Sequence, residues 1–156
     1  MTTRSGLRMP EVHHEVKYRF KVADFMTRDV STLRRNDVLS VADDVMNQKR
    51  IRHMPVLDED GQLAGIVSQR DLFRGALVKA LEYGASQQQK VMSVVLVKDI
   101  MQTRVETTRP EEHLGAAARA MTSNKIGCLP VLKDGKLVGI LTEGDFVAWA
   151  ARRNDC

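Results

Sequence analysis

The chain is poor in cysteine and in aromatic side chains, and each scarcity excludes a class of protein. Only two cysteines occur among 156 residues, Cys128 inside an apolar stretch and Cys156 at the last position. Cysteines placed in this way form neither a disulfide framework nor a metal-ligand spacing, and free thiols suit a reducing compartment. Aromatic residues make up 4% of the chain, too few for the platforms that stack single-stranded bases.

Long apolar runs are also missing. The longest, at residues 91–97, is far shorter than the roughly 20 residues that span a bilayer. The first 20 residues contain no apolar stretch that resembles a signal sequence, so we expect a cytoplasmic protein. The formal net charge of +4 favours anionic partners, among them nucleotides, nucleic acid and lipid head groups, without distinguishing between them.

What the chain does contain is one pattern written twice. Residues at positions 22–55 recur at 97–130 with a shift of 75, and those at 61–71 recur at 135–145 with a shift of 74. Such an internal repeat, of roughly 55 residues, indicates two copies of one structural unit. Each unit is too small to bury its own apolar face well. We therefore expect the two units to pack around a pseudo-twofold axis, with two related clefts at their interface.

Each repeat predicts the element order β-α-β-β-α, an α+β fold with a three-stranded sheet and two helices over one face. A short extended stretch ending at Thr32 precedes apolar residues at helical spacing, and two runs of β-formers around an acidic-glycine turn then predict a hairpin. The Asp134-Gly135 pair favours a tight primed turn. The first-helix apolar positions are Val38, Val41, Ala42, Val45 and Met46, and in the second repeat Leu114, Ala117, Ala118 and Met121.

Prolines and the second helices complete the prediction. Pro55 and Pro130 cannot donate to a sheet, so each is expected at a strand start or on an edge. Pro110 is expected in the first turn of the second repeat's helix. Residues 87–89 form a polar joint between the repeats. The later helices carry apolar stripes, at Leu72, Phe73, Ala76, Leu77, Ala80 and Leu81 in one repeat and at Phe146, Val147, Trp149 and Ala150 in the other.

A hydroxyl residue followed three positions later by an aspartate stands where a strand meets a helix in both repeats, at Ser68 and Asp71 and at Thr142 and Asp145. One interpretation is a capping box, which satisfies backbone N–H groups at the helix start. The other is a ligand site, because a helix N-terminus attracts phosphate and a carboxylate can accept two hydrogen bonds from a ribose diol. The repetition in one register strengthens the second interpretation without removing the first.

These segments together resemble the tandem CBS (cystathionine β-synthase) domain family. The resemblance covers about residues 20–153 and rests on Val-x-Asp-(Phe/Ile)-Met, Ile-(Arg/Gly)-(His/Cys)-(Met/Leu)-Pro-Val-Leu, Gly-x-Leu-(Ala/Val)-Gly-Ile-(Val/Leu) and Ser/Thr-x-x-Asp. It implies a Bateman module, a pair of CBS motifs that binds adenosine-containing ligands between the motifs, dimerises into a disc and senses ligands without catalysis.

The resemblance also implies a set of site residues. Asp71 and Asp145 would hold ribose hydroxyls, and Ser68 and Thr142 would contact ribose or phosphate. The adenine would be lined by Arg52, His53, Met54 and Pro55 and by Gly127, Cys128, Leu129 and Pro130, and the clefts closed by Thr32 and Thr107.

The two copies differ in charge. The first has Arg52, His53 and Arg70 where the second has Gly127, Cys128 and Gly144. Phosphate is therefore expected where the first repeat's basic residues point, while the other site is expected to be empty or to take a less charged ligand such as a nucleoside. His53 is either a group that tunes phosphate affinity through its titration or an ordinary packed histidine.

We expect a basic arm over residues 1–20, CBS motifs over 21–82 and 96–153, and a connecting segment over 83–95. The predicted function is a regulatory module that binds AMP, ADP, ATP or NAD(H), needs no cofactor or metal, and signals to an effector protein through a homodimer. An enzyme is disfavoured because no acid, base and nucleophile converge. The alternative is a nucleic-acid-binding protein that uses the basic arm, and its affinity would fall steeply with salt.

Overall fold

The computed structural model describes residues 20–83 and 88–152. Nearly all of the predicted basic arm, residues 84–87 of the predicted connecting segment, and Cys156 lie outside these ranges. The first repeat consists of β1 (Leu33–Arg34), α1 (Leu39–Lys49), β2 (His53–Leu57), β3 (Leu63–Ser68) and α2 (Gln69–Tyr83). Two short helices follow, α3 (Gln88–Val94) and α4 (Val97–Ile100), and then α5 (Leu114–Asn124), β4 (Cys128–Lys133), β5 (Lys136–Thr142) and α6 (Glu143–Arg152).

The predicted α+β fold with two related repeats is confirmed, although the sheets differ in size. In the first repeat β2 lies between β1 and β3, parallel to β1 and antiparallel to β3. In the second repeat β4 and β5 form a two-stranded sheet, and a single parallel bridge from Thr108 to Val131 stands where β1 would pair. The extended stretch predicted to end at Thr32 ends two residues early, because the strand spans Leu33–Arg34 and begins with the buried Leu33.

The predicted hairpins are confirmed. Asp134 and Gly135 both have positive φ, at 50° and 76°, as a primed turn requires. Pro130 lies on β4, an edge strand of the two-stranded sheet, as predicted, but Pro55 lies on the central strand β2, which contradicts the prediction. Pro55 and Pro130 are each the third residue of their strands rather than the first. Pro55 faces Ile66, whose N–H and C=O both bond to Gln102. The proline therefore occupies a pair position at which no N–H is needed.

Pro110 lies before the helix, not in its first turn, which corrects the prediction. Helix α5 begins at Leu114 after its cap residue His113. The carbonyl of Pro110 accepts the N–H of Ala23 at 3.0 Å, and that of Glu112 accepts the N–H of Val22 at 2.9 Å. These bonds hold the turn against residues 22–27, which we call the opening segment of the first repeat. Helix α5 begins after this turn.

Each opening segment, residues 22–27 in the first repeat and residues 97–102 in the second, packs on the opposite repeat. Val22 and Met26 belong to the core around α5, β4 and β5, whereas Val97 belongs to the core around α1, β2 and β3. The backbone bridges are reciprocal: Thr27 pairs with Ile140 and Gln102 with Ile66. Because each pair maps onto the other under the repeat shift, the exchange defines the expected pseudo-twofold axis.

Only part of the predicted apolar surface is covered. Ala42 and Met46 of α1 are buried as predicted, and Leu39, which the apolar pattern did not include, is buried with them. Val41 is exposed, contrary to the prediction. On α2, Leu72 and Ala76 are buried, and the remaining large apolar residues point to solvent. No described residue of α6 is fully buried. Residues 88 and 89 of the predicted polar joint belong to α3, and Val91 on that helix is buried in the first core. Residue 87 lies outside the described residues.

Candidate functional site

The two Ser/Thr-x-x-Asp motifs adopt the same local structure where β3 meets α2 and where β5 meets α6. Oδ2 of Asp71 accepts the N–H and the hydroxyl of Ser68, both at 2.8 Å, and Ser68 Oγ accepts the N–H of Asp71 at 3.1 Å. Oδ2 of Asp145 likewise accepts the N–H of Thr142 at 2.7 Å and its hydroxyl at 3.1 Å. Capping is therefore a real role of both aspartates.

Capping does not account for the other carboxylate oxygen. Oδ1 of Asp71 accepts a hydrogen bond from Nε2 of Gln102 at 3.2 Å. Oδ1 of Asp145 is approached by the Thr27 hydroxyl at 3.5 Å. Gln102 and Thr27 are equivalent positions 75 residues apart, each on the opening segment of the opposite repeat. Both aspartates thus stand at the interface between the repeats, as a shared ligand site requires.

A broad cleft of about 1250 Å³ opens beside Asp71. It is bounded by α1, the ends of β2 and β3, the first turns of α2, and several parts of the second repeat. Its lining includes the acids Asp43, Asp44, Glu106 and Glu143 as well as basic side chains. Of the residues predicted from sequence, it brings together Arg52, His53, Ser68, Arg70, Asp71, Gly127 and Cys128. The predicted cross-repeat cleft therefore forms around Asp71, and it contains the basic residues of the first repeat.

The other predicted residues lie elsewhere. Met54 and Leu129 are core side chains, and Pro55 and Pro130 are buried in their strands. Thr32 lies on a separate cleft of about 480 Å³ beside the hairpin turns, and Thr107 is exposed. Thr142 caps α6, and Asp145 lines a cleft of about 610 Å³ with Phe20, Phe25 and Trp149. Sequence alone did not separate these positions because all of them belong to the motifs.

Several cleft residues escaped the sequence analysis. Gln102, Arg104, Lys125 and Glu143 line the Asp71 cleft from the second repeat. The signal for Gln102 was present in the sequence, since it occupies the repeat position of Thr27 after the shared Asp-x-Met pattern. Its contact with Asp71 depends on the exchange of opening segments, which the repeat pattern does not reveal.

His53 lies where the repeats meet. A Cβ atom on Gly127 would lie 3.0 Å from Cε1 and 3.1 Å from Nε2 of His53, so the absence of a side chain there lets the ring approach the second repeat. Burial lowers the pKa of His53, and nearby Arg52 acts in the same direction, while the carboxylates of Glu143 and Asp71 oppose the shift. This balance leaves the protonation of His53 sensitive to any anion that enters the cleft.

Cys128 occupies the position that matches His53. It is 7% exposed, and burial, with a contribution from Glu143, raises the pKa of its thiol to about 12. Such a thiol is unreactive. Among residues 20–83 and 88–152, no three His, Cys, Asp or Glu side chains are grouped to hold a metal ion. Within the same ranges, no helix is long and apolar enough to cross a membrane.

These features define a tandem pair of CBS domains. The CBS domain family model matches residues 22–77 and 97–152, and the chain belongs to that family. The curated relatives include a homoserine O-acetyltransferase of Methanohalobium evestigatum, 30% identical over 126 residues. That alignment covers 80% of this chain but only 23% of the enzyme, so the chain spans about a quarter of the relative's length.

Several solved structures are similar to this chain over most of their length. AcuB of Vibrio cholerae, whose assignment to acetoin utilization is provisional, is 38% identical with a TM-score of 0.71, over 85% of this chain and 90% of AcuB. CBSX2, solved with AMP, is 30% identical with a TM-score of 0.68, over 85% of this chain and 96% of CBSX2. The CBS domain pair of protein MJ0100, solved with 5-methylthioadenosine and S-adenosyl-L-methionine, is 26% identical with a TM-score of 0.68, over the same shares.

Proposed function

We propose that this chain is a regulatory module that binds an adenosine-containing ligand between its CBS domains and has no catalytic activity of its own. The observation that carries the proposal is the Asp71 carboxylate, which stands at a helix start with Oδ1 directed across the repeat interface into a large cleft. The similarity to CBS pairs solved with AMP, 5-methylthioadenosine and S-adenosyl-L-methionine supports it. Asp71 and Asp145 line separate clefts, which disfavours a two-carboxylate reaction.

The Asp71 cleft is lined by both basic and acidic side chains, and its arginines and His53 are the groups that would receive a phosphate. The ribose hydroxyls would donate to the carboxylate of Asp71, and the phosphate would face Arg52, Arg70 and His53. Arginine binds phosphate through paired hydrogen bonds, and the exposed first turn of α2 adds a positive dipole end. Among the described residues, the Asp145 cleft is lined instead by three aromatic rings, Asp24 and Arg152. We assign AMP, ADP, ATP or NAD(H) to the first cleft and a less charged adenosine ligand to the second.

Binding of AMP, ATP, NAD(H), 5-methylthioadenosine and S-adenosyl-L-methionine, measured by calorimetry and thermal melting, tests the proposal. A ligand at 100 times its Kd stabilises the native state by about 2.7 kcal/mol, which raises the melting temperature by several degrees. Asp71→Asn should weaken AMP binding about tenfold to a hundredfold, because hydrogen bonds to a charged acceptor contribute about 1.5–3 kcal/mol. Asp145→Asn should weaken AMP binding less.

Asp99→Asn is the matched control, since Asp99 is an exposed acid in the first turn of α4 and does not line the Asp71 cleft. Its ligand affinity should equal that of the parent. If Asp71→Asn and Asp145→Asn both bind as tightly as the parent but melt lower, the aspartates are structural caps only. A complete lack of melting shifts with these ligands would refute the sensor function.

We also propose a homodimer, formed by the uncovered apolar faces of α2 and α6, as the route to an effector protein. Leu77, Leu81 and Val147 are 51%, 79% and 70% exposed, and exposed apolar patches mark interaction surfaces. The double variant Leu77→Glu and Val147→Glu should be monomeric by light scattering at micromolar concentration. Val41→Glu changes an exposed valine on α1 and should stay dimeric. A monomeric parent would exclude the dimer.

The nucleic-acid alternative rests on the basic arm, which lies outside the described residues. It stays a prediction, and no observation in the described ranges favours it. An affinity for nucleic acid that falls steeply with salt concentration would support this alternative.

A further inference from the structure

The backbone fixes Gln102 beside the Asp71 carboxylate. The N–H of Gln102 donates to the carbonyl of Ile66 at 2.9 Å, and the N–H of Ile66 donates back to the carbonyl of Gln102 at 2.9 Å. From this anchored position the side-chain nitrogen of Gln102 lies 3.2 Å from Oδ1 and 3.3 Å from Oδ2 of Asp71. A carboxylate only accepts hydrogen bonds, so the amide nitrogen is the group that faces it.

The matching position in the other cleft uses the same backbone bonds and a shorter side chain. Thr27 and Ile140 exchange N–H to carbonyl bonds at 2.9 Å in both directions. The hydroxyl of Thr27 reaches only to 3.5 Å from Oδ1 of Asp145, the outer limit of a hydrogen bond. The two aspartates are therefore held by their own caps to a similar degree, but only Asp71 is held closely across the interface.

A ribose diol would need the same acceptor atoms that Gln102 uses. We propose that Gln102 is an internal competitor for the ligand: its amide occupies the Asp71 carboxylate, and an adenosine ligand binds there by displacing it with the two ribose hydroxyls. The inference rests on the proposed function. Because an amide hydrogen bond to a carboxylate must be broken first, the affinity of the Asp71 cleft is lower than its basic residues alone would give.

The competition also links ligand binding to the contact between the repeats. Gln102 belongs to the opening segment of the second repeat, and the residues that follow it, Arg104 to Glu106, line the same cleft. Displacing the amide removes a side-chain tie from this segment to α2 while the Ile66 backbone bonds remain. Ligand binding at Asp71 thereby weakens the contact between the second repeat and α2, the helix that carries the exposed apolar face.

A reciprocal exchange of the two side chains tests the inference. Gln102→Thr in an Asp145→Asn background should bind AMP about fivefold to tenfold more tightly than that background alone, measured by calorimetry. Thr27→Gln in an Asp71→Asn background should bind 5-methylthioadenosine more weakly than its background. Gln62→Thr makes the same chemical change beside a hairpin turn, away from the Asp71 cleft, and should leave both affinities unchanged.

A ligand without the diol separates competition from a structural effect. The gain from Gln102→Thr should be large for AMP and small for 2′,3′-dideoxyadenosine monophosphate, which has no hydroxyls to compete with the amide. Equal gains for both ligands, or an AMP affinity that is unchanged or lowered by Gln102→Thr, would overturn the inference while leaving the proposed function intact. If none of these proteins binds any adenosine ligand, the proposed function and the inference both fall.

Discussion

In one cleft the carboxylate of Asp71 is bridged by the amide of Gln102 at 3.2 Å, whereas in the other Thr27 comes only to 3.5 Å from Asp145. The backbone bonds beneath both contacts have the same length, 2.9 Å. Backbone bonds of this kind do not depend on which side chain is present. The duplicated chain therefore keeps one frame while the side chains that would meet a ligand have diverged.

The divergence extends to the surroundings of each aspartate. Charged side chains of both signs, including several arginines and His53, line the Asp71 cleft. Beside Asp145 the rings of Phe20, Phe25 and Trp149 lie edge to face with centroids 5.4–5.9 Å apart. Cations stabilise a phosphate, and aromatic rings offer apolar area without charge. The difference indicates two sites of unlike chemistry on one fold, and each prediction below tests one matched pair of positions.

The largest expected effect concerns the position shared by His53 and Cys128. A thiol with a pKa of about 12 holds, near neutral pH, on the order of a thousandth of the thiolate of an ordinary cysteine. In a Cys156→Ser background, Cys128 should react with iodoacetamide on the order of tenfold to a hundredfold more slowly in the native protein than in urea, because the greater nucleophilicity of a high-pKa thiolate offsets part of the lost thiolate fraction. Equal rates would show that the second repeat does not bury this position.

The next largest effect concerns two glycines, Gly65 and Gly139, each of which lies against the opening segment of the opposite repeat. A Cβ on Gly65 would lie 2.8 Å from the carbonyl oxygen of Gln102, whereas a Cβ on Gly139 would lie 3.1 Å from that of Thr27. Gly65→Ala should lower the free energy of unfolding by about 1–3 kcal/mol, and Gly139→Ala by less. The methionine sulfurs beside both glycines, of Met101 and Met26, can move aside more readily than a backbone carbonyl.

Urea unfolding measures both losses. Gly115→Ala is the control, since its new methyl group would meet only the end of a flexible arginine, at 3.5 Å, and alanine favours the helix. It should leave stability unchanged or raise it slightly. A larger loss of unfolding free energy for Gly139→Ala than for Gly65→Ala would contradict this prediction. It would mean that the second repeat packs more tightly on the first repeat's opening segment than the first repeat packs on the second's.

The fold was largely predictable because the repeat register and the hairpin turns are local. Asp134 and Gly135 specify their turn through backbone preferences that act between neighbours. The proline error arose because strand position alone does not show which pair positions lack hydrogen bonds. Pro55 is accommodated by Gln102, a residue 47 positions away that takes the bonds of Ile66.

The site was predictable only in part, because some of its contacts are local in sequence and others form between distant residues. Ser68 and Asp71 could be predicted as a pair because three positions on a helix start bring them together. The Gln102 contact depends on which repeat receives each opening segment, and the approach of Gly127 to His53 depends on how the two repeats pack. That choice is made by packing at long range, which one sequence with a clean repeat leaves undetermined.

The smallest expected effect is a pH dependence that the first repeat has and the second lacks. Burial lowers the pKa of His53 below its ordinary value near 6.5, so the native protein binds fewer protons at this site than the unfolded chain does. Stability should therefore fall as the pH drops below about 6.5 and level off once the pH is below the lowered pKa. His53→Gln should flatten this part of the profile.

Bound phosphate should reverse the sign, because an anion beside His53 favours its charged form. AMP should then bind more tightly toward acid pH in the parent than in His53→Gln, and its binding should draw protons from the buffer, which calorimetry in two buffers detects. His113→Gln is the control among the described histidines, since His113 does not line the Asp71 cleft. If the parent and His53→Gln give parallel profiles with and without AMP, His53 is a packing residue and the charge difference between the clefts rests on the arginines alone.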